Sequence, residues 1–309
     1  MSILMPQIAS RLFGEPLMID AGKMQAILTG IGARVADGGF VLPGVQPVDH
    51  VAFDGGRPSQ SMGVVGNRLE RALASFEQAS GDSVVDRVGN VAIVPIEGTL
   101  VQKGKWLGTN SGQTSYEGTR ALIARVAAND AIKGVVIEVD SYGGQVSGAF
   151  ETAAAIHALS QRKPTLAILT DFAFSAGYLM ASAARQIVMP EGGGAGSIGV
   201  IAMHADLSKK LEQDGIAVTL ITAGAHKADG HPAMPLDQAV AKEMQARVDA
   251  SYERFTAAVG TYRGVRLPQS AARATEARTY VGEAAVAAGL VDGIAEVEEA
   301  FVEFVNRVS

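Results

Sequence analysis

The sequence predicts an α/β protein built on a largely parallel sheet. Two observations carry that reading. From Val91 onward, short β-branched runs alternate with stretches whose apolar residues recur near a 3.6-residue period. The runs themselves are apolar almost throughout, as strands buried on both faces are. The 36 glycines of the 309-residue chain gather at the ends of many of these runs, where a site made of backbone would stand.

Taken in order, residues 1–85 read as an N-terminal extension, helical and irregular, and 86–309 as the main domain. Within the extension, "LMIDAGKMQAILTGIGARV" reads as a short amphipathic helix with Asp20 as its N-cap, and "GNRLERALASFEQASG" as a second helix. The main domain opens with the strand "VAIVPIEG". A helix follows in "TSYEGTRALIARVAAND", with Thr114 or Ser115 near its start, and then the strand "KGVVIEVDS". "QVSGAFETAAAIHALSQR" is helical, with Val146, Phe150, Ala153, Ile156 and Leu159 on one face. "PTLAILTD" is a strand and "SAGYLMASAAR" a helix. "QIVMP" and "SIGVIAMH" read as short strands, "DLSKKLEQDG" as a helix, and "IAVTLITAG" as a strand. A long helix from about Leu236 to Tyr262 precedes a mixed tail.

Bulk properties narrow the function. The net charge is −6 with no basic cluster, which argues against nucleic-acid binding. There is no cysteine, so disulfides and thiolate metal sites are excluded. No signal-like leader and no apolar run of membrane-span length stands in the sequence, so a soluble, cytoplasmic protein is expected.

Three stretches could carry chemistry. In "DFAFSAGYLMASAA", Ser175 follows a strand and opens a helix. It could be an ordinary N-cap serine, or a nucleophile beside free helix N–H groups. In "DSYGGQVSG", the paired glycines end a buried strand; they make a plain βα turn or bare backbone at a site. Both stretches leave the carboxyl ends of expected parallel strands, where α/β proteins place ligands. A base is also needed. His204 ends an expected strand. His226, Lys227 and His231 lie in the loop "ITAGAHKADGHPA", where Lys227 is a solvated loop lysine or a base whose pKa burial has lowered. Gly194, Gly196 and Gly199 in "GGGAGSIG" match the dinucleotide pattern G-x-G-x-x-G, but β-rich sequence follows where a helix should begin. No phosphate-loop or metal-site motif is present, and no cofactor is expected.

The stretches "VAIVPIEGTL", "GVVIEVDSYGGQVSGAFE", "FSAGYLMASAA", "GSIGVI", "ITAGAHKADG" and "ARTYVGEAAVAAGLVDGI", in this order, resemble the signal peptide peptidase A family of serine peptidases. "GSIGVIAMHADLSKKLEQDGIAVTLITAGAHKADG" and "PQIASRLFGEPLMIDAGKMQAIL" resemble its phage branch, the head-maturation proteases or minor capsid protein C. The resemblance implies a ClpP/crotonase-like fold of repeated β-β-α units. It implies a serine endopeptidase with Ser175 as nucleophile, Lys227 as base and Ser197 orienting the lysine. The oxyanion hole would be the N–H groups of Gly144 and Ala176, with Gly143 beside them. It also implies polypeptide substrates among phage scaffold, portal or other head proteins, in the host cytoplasm or the procapsid. Rings are expected, in which subunits complete one another's sites, with the long helix from Leu236 as a contact.

This chain departs from the family in having Tyr142 where Ser-Pro-Gly-Gly is common; the expectation is also that it has no N-terminal membrane anchor and ends just past the protease domain. Two rival readings stay open: a crotonase-type acyl-CoA enzyme, which needs no serine nucleophile, and a catalytically idle capsid or scaffold component.

Overall fold

The computed structural model describes residues 16–20, 85–103 and 113–308. The helices expected between residues 21 and 35 and between 66 and 81 lie outside them. In chain order the strands are β1 (Leu17–Ile19), β2 (Arg87–Val88), β3 (Val91–Val101), β4 (Gln113–Ser115), β5 (Gly134–Gln145), β6 (Thr165–Phe174), β7 (Gln186–Met189), β8 (Gly194–Gly196), β9 (Thr279–Val281) and β10 (Gly293–Ile294). The α-helices are α1 (Tyr116–Ala128), α2 (Ala149–Arg162), α3 (Ala176–Ser182), α4 (Ser208–Gln213), α5 (Gln238–Arg263), α6 (Gln269–Ala274), α7 (Glu283–Ala287) and α8 (Val297–Val308).

One sheet organises the described residues, with the path β10-β7-β6-β5-β3-β2. Pairs along it are parallel except β2 with β3. The α/β class with a mainly parallel sheet therefore holds.

The strand sequences explain the two-sided burial. Residues alternate between faces. Ala92, Val94 and Ile96 of β3 face the larger core with α1, α2, α3 and the second half of α5. Val91 and Ile93 face the opposite side, where Val297, Phe301 and Phe304 of α8 cover them together with Val136, Leu166 and Ile168. Ser115 caps α1, its side chain accepting the Gly118 N–H at 3.1 Å.

Four expectations change. "SIGVIAMH" forms no strand beyond a single bridge of Ile201 with Leu17. "DSYGG" is not a turn: β5 continues through it to Gln145, with register shifts against β3 after Glu97 and against β6 after Val139. Leu17–Ile19 is a strand, because Gly143–Gln145 offers it an open antiparallel edge. "IAVTLITAG" forms no strand. Residues 216–222 lie exposed apart from the half-buried Leu220, Ile221 is 95% accessible, and among the described residues no strand pairs with them. The β-branched pattern is there without a partner strand among the described residues.

Candidate active site

β5 and β6 run side by side and end at different heights. The last residue pair that joins them is Ser141 with Ala173. Two residues further, β6 stops and the chain turns sharply at Ser175 into α3. The sharpness is visible in the backbone: Ser175 has φ 54° and ψ −120°, a region that side-chain-bearing residues rarely occupy. The turn is held by the Ser175 N–H donating to the Gly196 carbonyl at 2.9 Å, and by its own carbonyl accepting the Leu179 N–H at 3.0 Å.

This geometry bears on the two readings of Ser175. Its side chain makes no capping hydrogen bond to α3. The hydroxyl instead points to the Gly199 carbonyl at 3.4 Å, and the residue is wholly buried. A serine on a strained strand-to-helix turn, with its Oγ free of the helix cap, has the backbone setting in which nucleophilic serines also occur.

Bare backbone surrounds it. A Cβ on Gly143 would overlap the Met18 carbonyl oxygen and stand 2.9 Å from Ser175 Cβ and 3.0 Å from the Ala176 nitrogen. Gly143 is also at φ 96°, so two constraints select glycine there. Sequence reasoning passed over Ser141. Its buried hydroxyl donates to the Gly98 carbonyl at 2.6 Å and accepts the Gly143 N–H at 3.1 Å, which fixes the glycine pair. The signal was its place just before Tyr142-Gly143-Gly144. Tyr142, in the usual proline position, packs against Phe172 and Phe174 with ring centroids 5.5 and 5.6 Å away. The position is thus held by aromatic packing instead of a fixed φ.

The structure brings Ser175, Ala176, Gly143, Gly144 and the Gly196–Gly199 stretch together. Ser197 is buried, at φ 53°, its N–H donating to the Arg278 carbonyl at 2.9 Å. Gly194–Gly196 forms β8 between β6 and β9, with no helix opening after it, so the glycine run is sheet and turn backbone.

Lys227 is not brought in. It lies exposed in the turn 225–230, and among the described residues no hydrogen bond joins it to Ser175 or Ser197. Nearby, His226 Nδ1 pairs with Asp229 at 2.8 Å on the surface, which raises the imidazole pKa. His204 makes no hydrogen bond to Ser175 either. No group of metal-ligating side chains occurs among the described residues.

Residues 157–308 match the family model described as "Peptidase family S49". Over these residues the chain is similar to that family. Two viral relatives align along nearly the whole sequence. The head-tail preconnector protein GP5 of Enterobacteria phage P21 is 32% identical over 95% of this chain and 56% of its own length. The capsid assembly protease C of Escherichia phage lambda is 32% identical over 93% of this chain and 62% of its own. The chain therefore spans about three-fifths of these relatives. Among solved structures, a membrane-bound stomatin-specific protease is similar at 14% identity and a TM-score of 0.43, over 69% of this chain and 83% of that one. The S49 match covers Ser175, Ser197 and Lys227, whereas Gly143 and Gly144 lie before it.

Proposed function

We propose that this chain is a serine endopeptidase that cuts scaffold, portal or other head proteins during phage or prophage capsid maturation. The observation that carries the chemistry is the strained, uncapped Ser175 in its setting of bare backbone. The 32% identity to a capsid assembly protease and to a head-tail preconnector protein supports the setting.

The steps use this chain's own groups. A neutral Lys227 amine takes the proton of the Ser175 hydroxyl as Oγ attacks a peptide carbonyl. The oxyanion forms against the N–H groups of Ala176 and Gly144. Gly143, whose own N–H goes to Ser141, keeps the passage narrow and free of side chain. The leaving amine takes the proton from the lysine, and water then releases the acyl group by the same route in reverse.

A lysine is a competent base only when burial or a nearby cation lowers its pKa toward about 7–8. In the single chain Lys227 is exposed. The neighbouring stretch exposes Ile216, Val218, Ile221 and Met234. A second copy packed on this apolar stretch would bury Lys227 and deliver it, with Ser197 as its hydrogen-bond partner, to a Ser175. We therefore assign the dyad to a ring-shaped homo-oligomer, with the base given by one copy to the next. Among the described residues no helix is long and apolar enough to cross a membrane.

The test is co-expression with candidate head proteins, together with fluorophosphonate labelling. The expected result is cleavage and labelling by the unmodified chain, and neither by Ser175→Ala. Lys227→Ala should be about 100-fold or more slower. Cleavage that persists in both variants would overturn the dyad.

A further inference from the structure

The strand beside Ser175 comes from a distant part of the sequence. One edge of β5 pairs with β3 as far as Leu100 with Gly144. The other edge pairs with β6 up to Ser141 and Ala173, and then with β1, from Ile19 with Gly143 to Leu17 with Gln145. β1 thus continues the line of β6 past the turn at Ser175, running in the opposite direction.

Its far edge is bonded as well. The Leu17 N–H donates to the Ile201 carbonyl at 2.7 Å, and the Ile201 N–H donates to the Leu17 carbonyl at 2.9 Å. The Asp20 N–H donates to the Tyr142 carbonyl at 2.9 Å. Leu17–Asp20 is therefore an extended peptide held on both sides, in the slot between "SYGGQ" and Ile201.

The register is informative. The place a Cβ on Gly143 would take is occupied by the Met18 carbonyl oxygen, and that same place faces Ser175 Cβ and the Ala176 nitrogen. The Met18 carbonyl lies opposite the nucleophile and the N–H that follows it. The Met18 side chain is fully buried within the main core cluster. Leu17 and Ile19 pack with Ile201 and Met203.

We propose that Leu17–Ile19 is a built-in occupant of the peptide cleft, an autoinhibitory strand of the chain's own. It holds the substrate's place, with Met18 in the pocket for the residue on the acyl side of the cut bond. An extended peptide uses both edges of such a slot, as in strand addition to a sheet, so substrate enters only when this strand leaves. The pocket then favours a long, unbranched apolar side chain. What the cleft does rests on the peptidase reading; that it is filled rests on the pairing alone.

The chain has no cysteine, which gives a clean test in the full-length protein. Leu17 and Ile201 exchange both N–H···O bonds, so they are a directly opposed pair, with Cα atoms near 5.5 Å. That lies within disulfide reach. The variant Leu17→Cys/Ile201→Cys is compared oxidised and reduced, with the cross-link verified by mass. The probes are a fluorescent peptide of sequence EPLMID, read in a Ser175→Ala background, and a fluorophosphonate, read with Ser175 intact.

Locking the strand is expected to weaken peptide binding and slow labelling by about tenfold or more, because the open state is removed from the equilibrium. Met18→Arg, which cannot seat in the buried pocket, should raise both about tenfold over the unmodified chain. Equal peptide binding by the oxidised and reduced forms, or binding by neither, overturns the proposal. If no form reacts with the fluorophosphonate, the nucleophile assignment fails, and peptide binding alone then decides the occupancy.

Discussion

At Ser175 the backbone carries a cost that the side chain explains. A residue with a Cβ at φ 54° and ψ −120° is strained by about 1–3 kcal/mol. Ser175→Ala removes the hydroxyl and keeps the Cβ, whereas Ser175→Gly removes both. Ser175→Gly should therefore be the more stable of the two by about 1 kcal/mol in urea unfolding, with neither variant labelled by fluorophosphonate. Equal midpoints would mean that the turn is not strained. Gly143→Ala tests the opposite face of the site. Its Cβ would overlap the Met18 carbonyl oxygen, so β1 must leave, and in the emptied slot it would still stand 2.9 Å from Ser175 Cβ and 3.0 Å from the Ala176 nitrogen, on a backbone already at positive φ. The labelling rate should fall about 100-fold or more, as for the loss of an oxyanion donor. Ser175 and the glycine pair were legible because strand-turn-helix punctuation is local. Ser141's grip on Gly143 was not, because it depends on a strand that runs on where a turn was expected.

Among elements, the long strands were legible and their neighbours were not. β3, β5 and β6 are mostly apolar runs flanked by helical patterns, so their class and direction follow from sequence. β1 was read as the start of a helix because its partners, Gly143–Gln145 and Ile201, lie far downstream. The tail illustrates the same limit. Arg263, at the end of α5, is fully buried and forms two bonds of 2.9 Å to the Asp292 carboxylate, which also accepts the Ile187 N–H at 2.8 Å. One residue pair thus ties α5, β7 and β10. Tyr178 of α3 donates to the Leu290 carbonyl at 2.9 Å, which links this joint to the helix behind Ser175. Burial alone would raise the Asp292 pKa, but the hydrogen bonds and charge of Arg263, the Ile187 N–H and Arg266 outweigh it and hold the carboxyl below its usual range. Because the folded pKa is depressed, the stabilisation is complete above the unfolded value of about 3.9 and fades as pH falls through the folded one. Asp292→Asn should cost about 3–5 kcal/mol near neutral pH, since it leaves a buried guanidinium uncompensated. The gap to the unmodified chain should narrow below about pH 4. A gap independent of pH in urea titrations would remove Asp292's charge from the account.

For the whole molecule, the stretch from His204 to Leu236 separates what one chain can do from what an assembly can. Its sequence alternates like a buried strand, yet Ile216, Val218 and Ile221 meet water, and Lys227 stands among exposed residues. The first half of α5 buries little beyond Met244, while its second half buries Phe255, Val259 and Arg263 in the core. A surface that is apolar, extended and without a partner strand among the described residues fits a neighbour's edge. Ile221→Asp puts a charge into the proposed contact. It should shift the protein to smaller species in sedimentation and slow fluorophosphonate labelling with them, while the far-ultraviolet spectrum stays the same. Mixing gives the sharper measurement. Ser175→Ala keeps every lysine, and Lys227→Ala keeps every serine, so each protein alone is inactive. If the base crosses between copies, unfolding and reassembling the two in equal amounts creates intact sites wherever a serine-bearing copy receives a lysine-bearing neighbour. In a ring with random order this happens at about one site in four. Recovery near a quarter of the unmodified activity is the expected outcome. Mixtures that stay as inactive as their parts, in rings shown to contain both variants, would place Ser175 and Lys227 in the same copy and require the 204–236 stretch to fold inward instead.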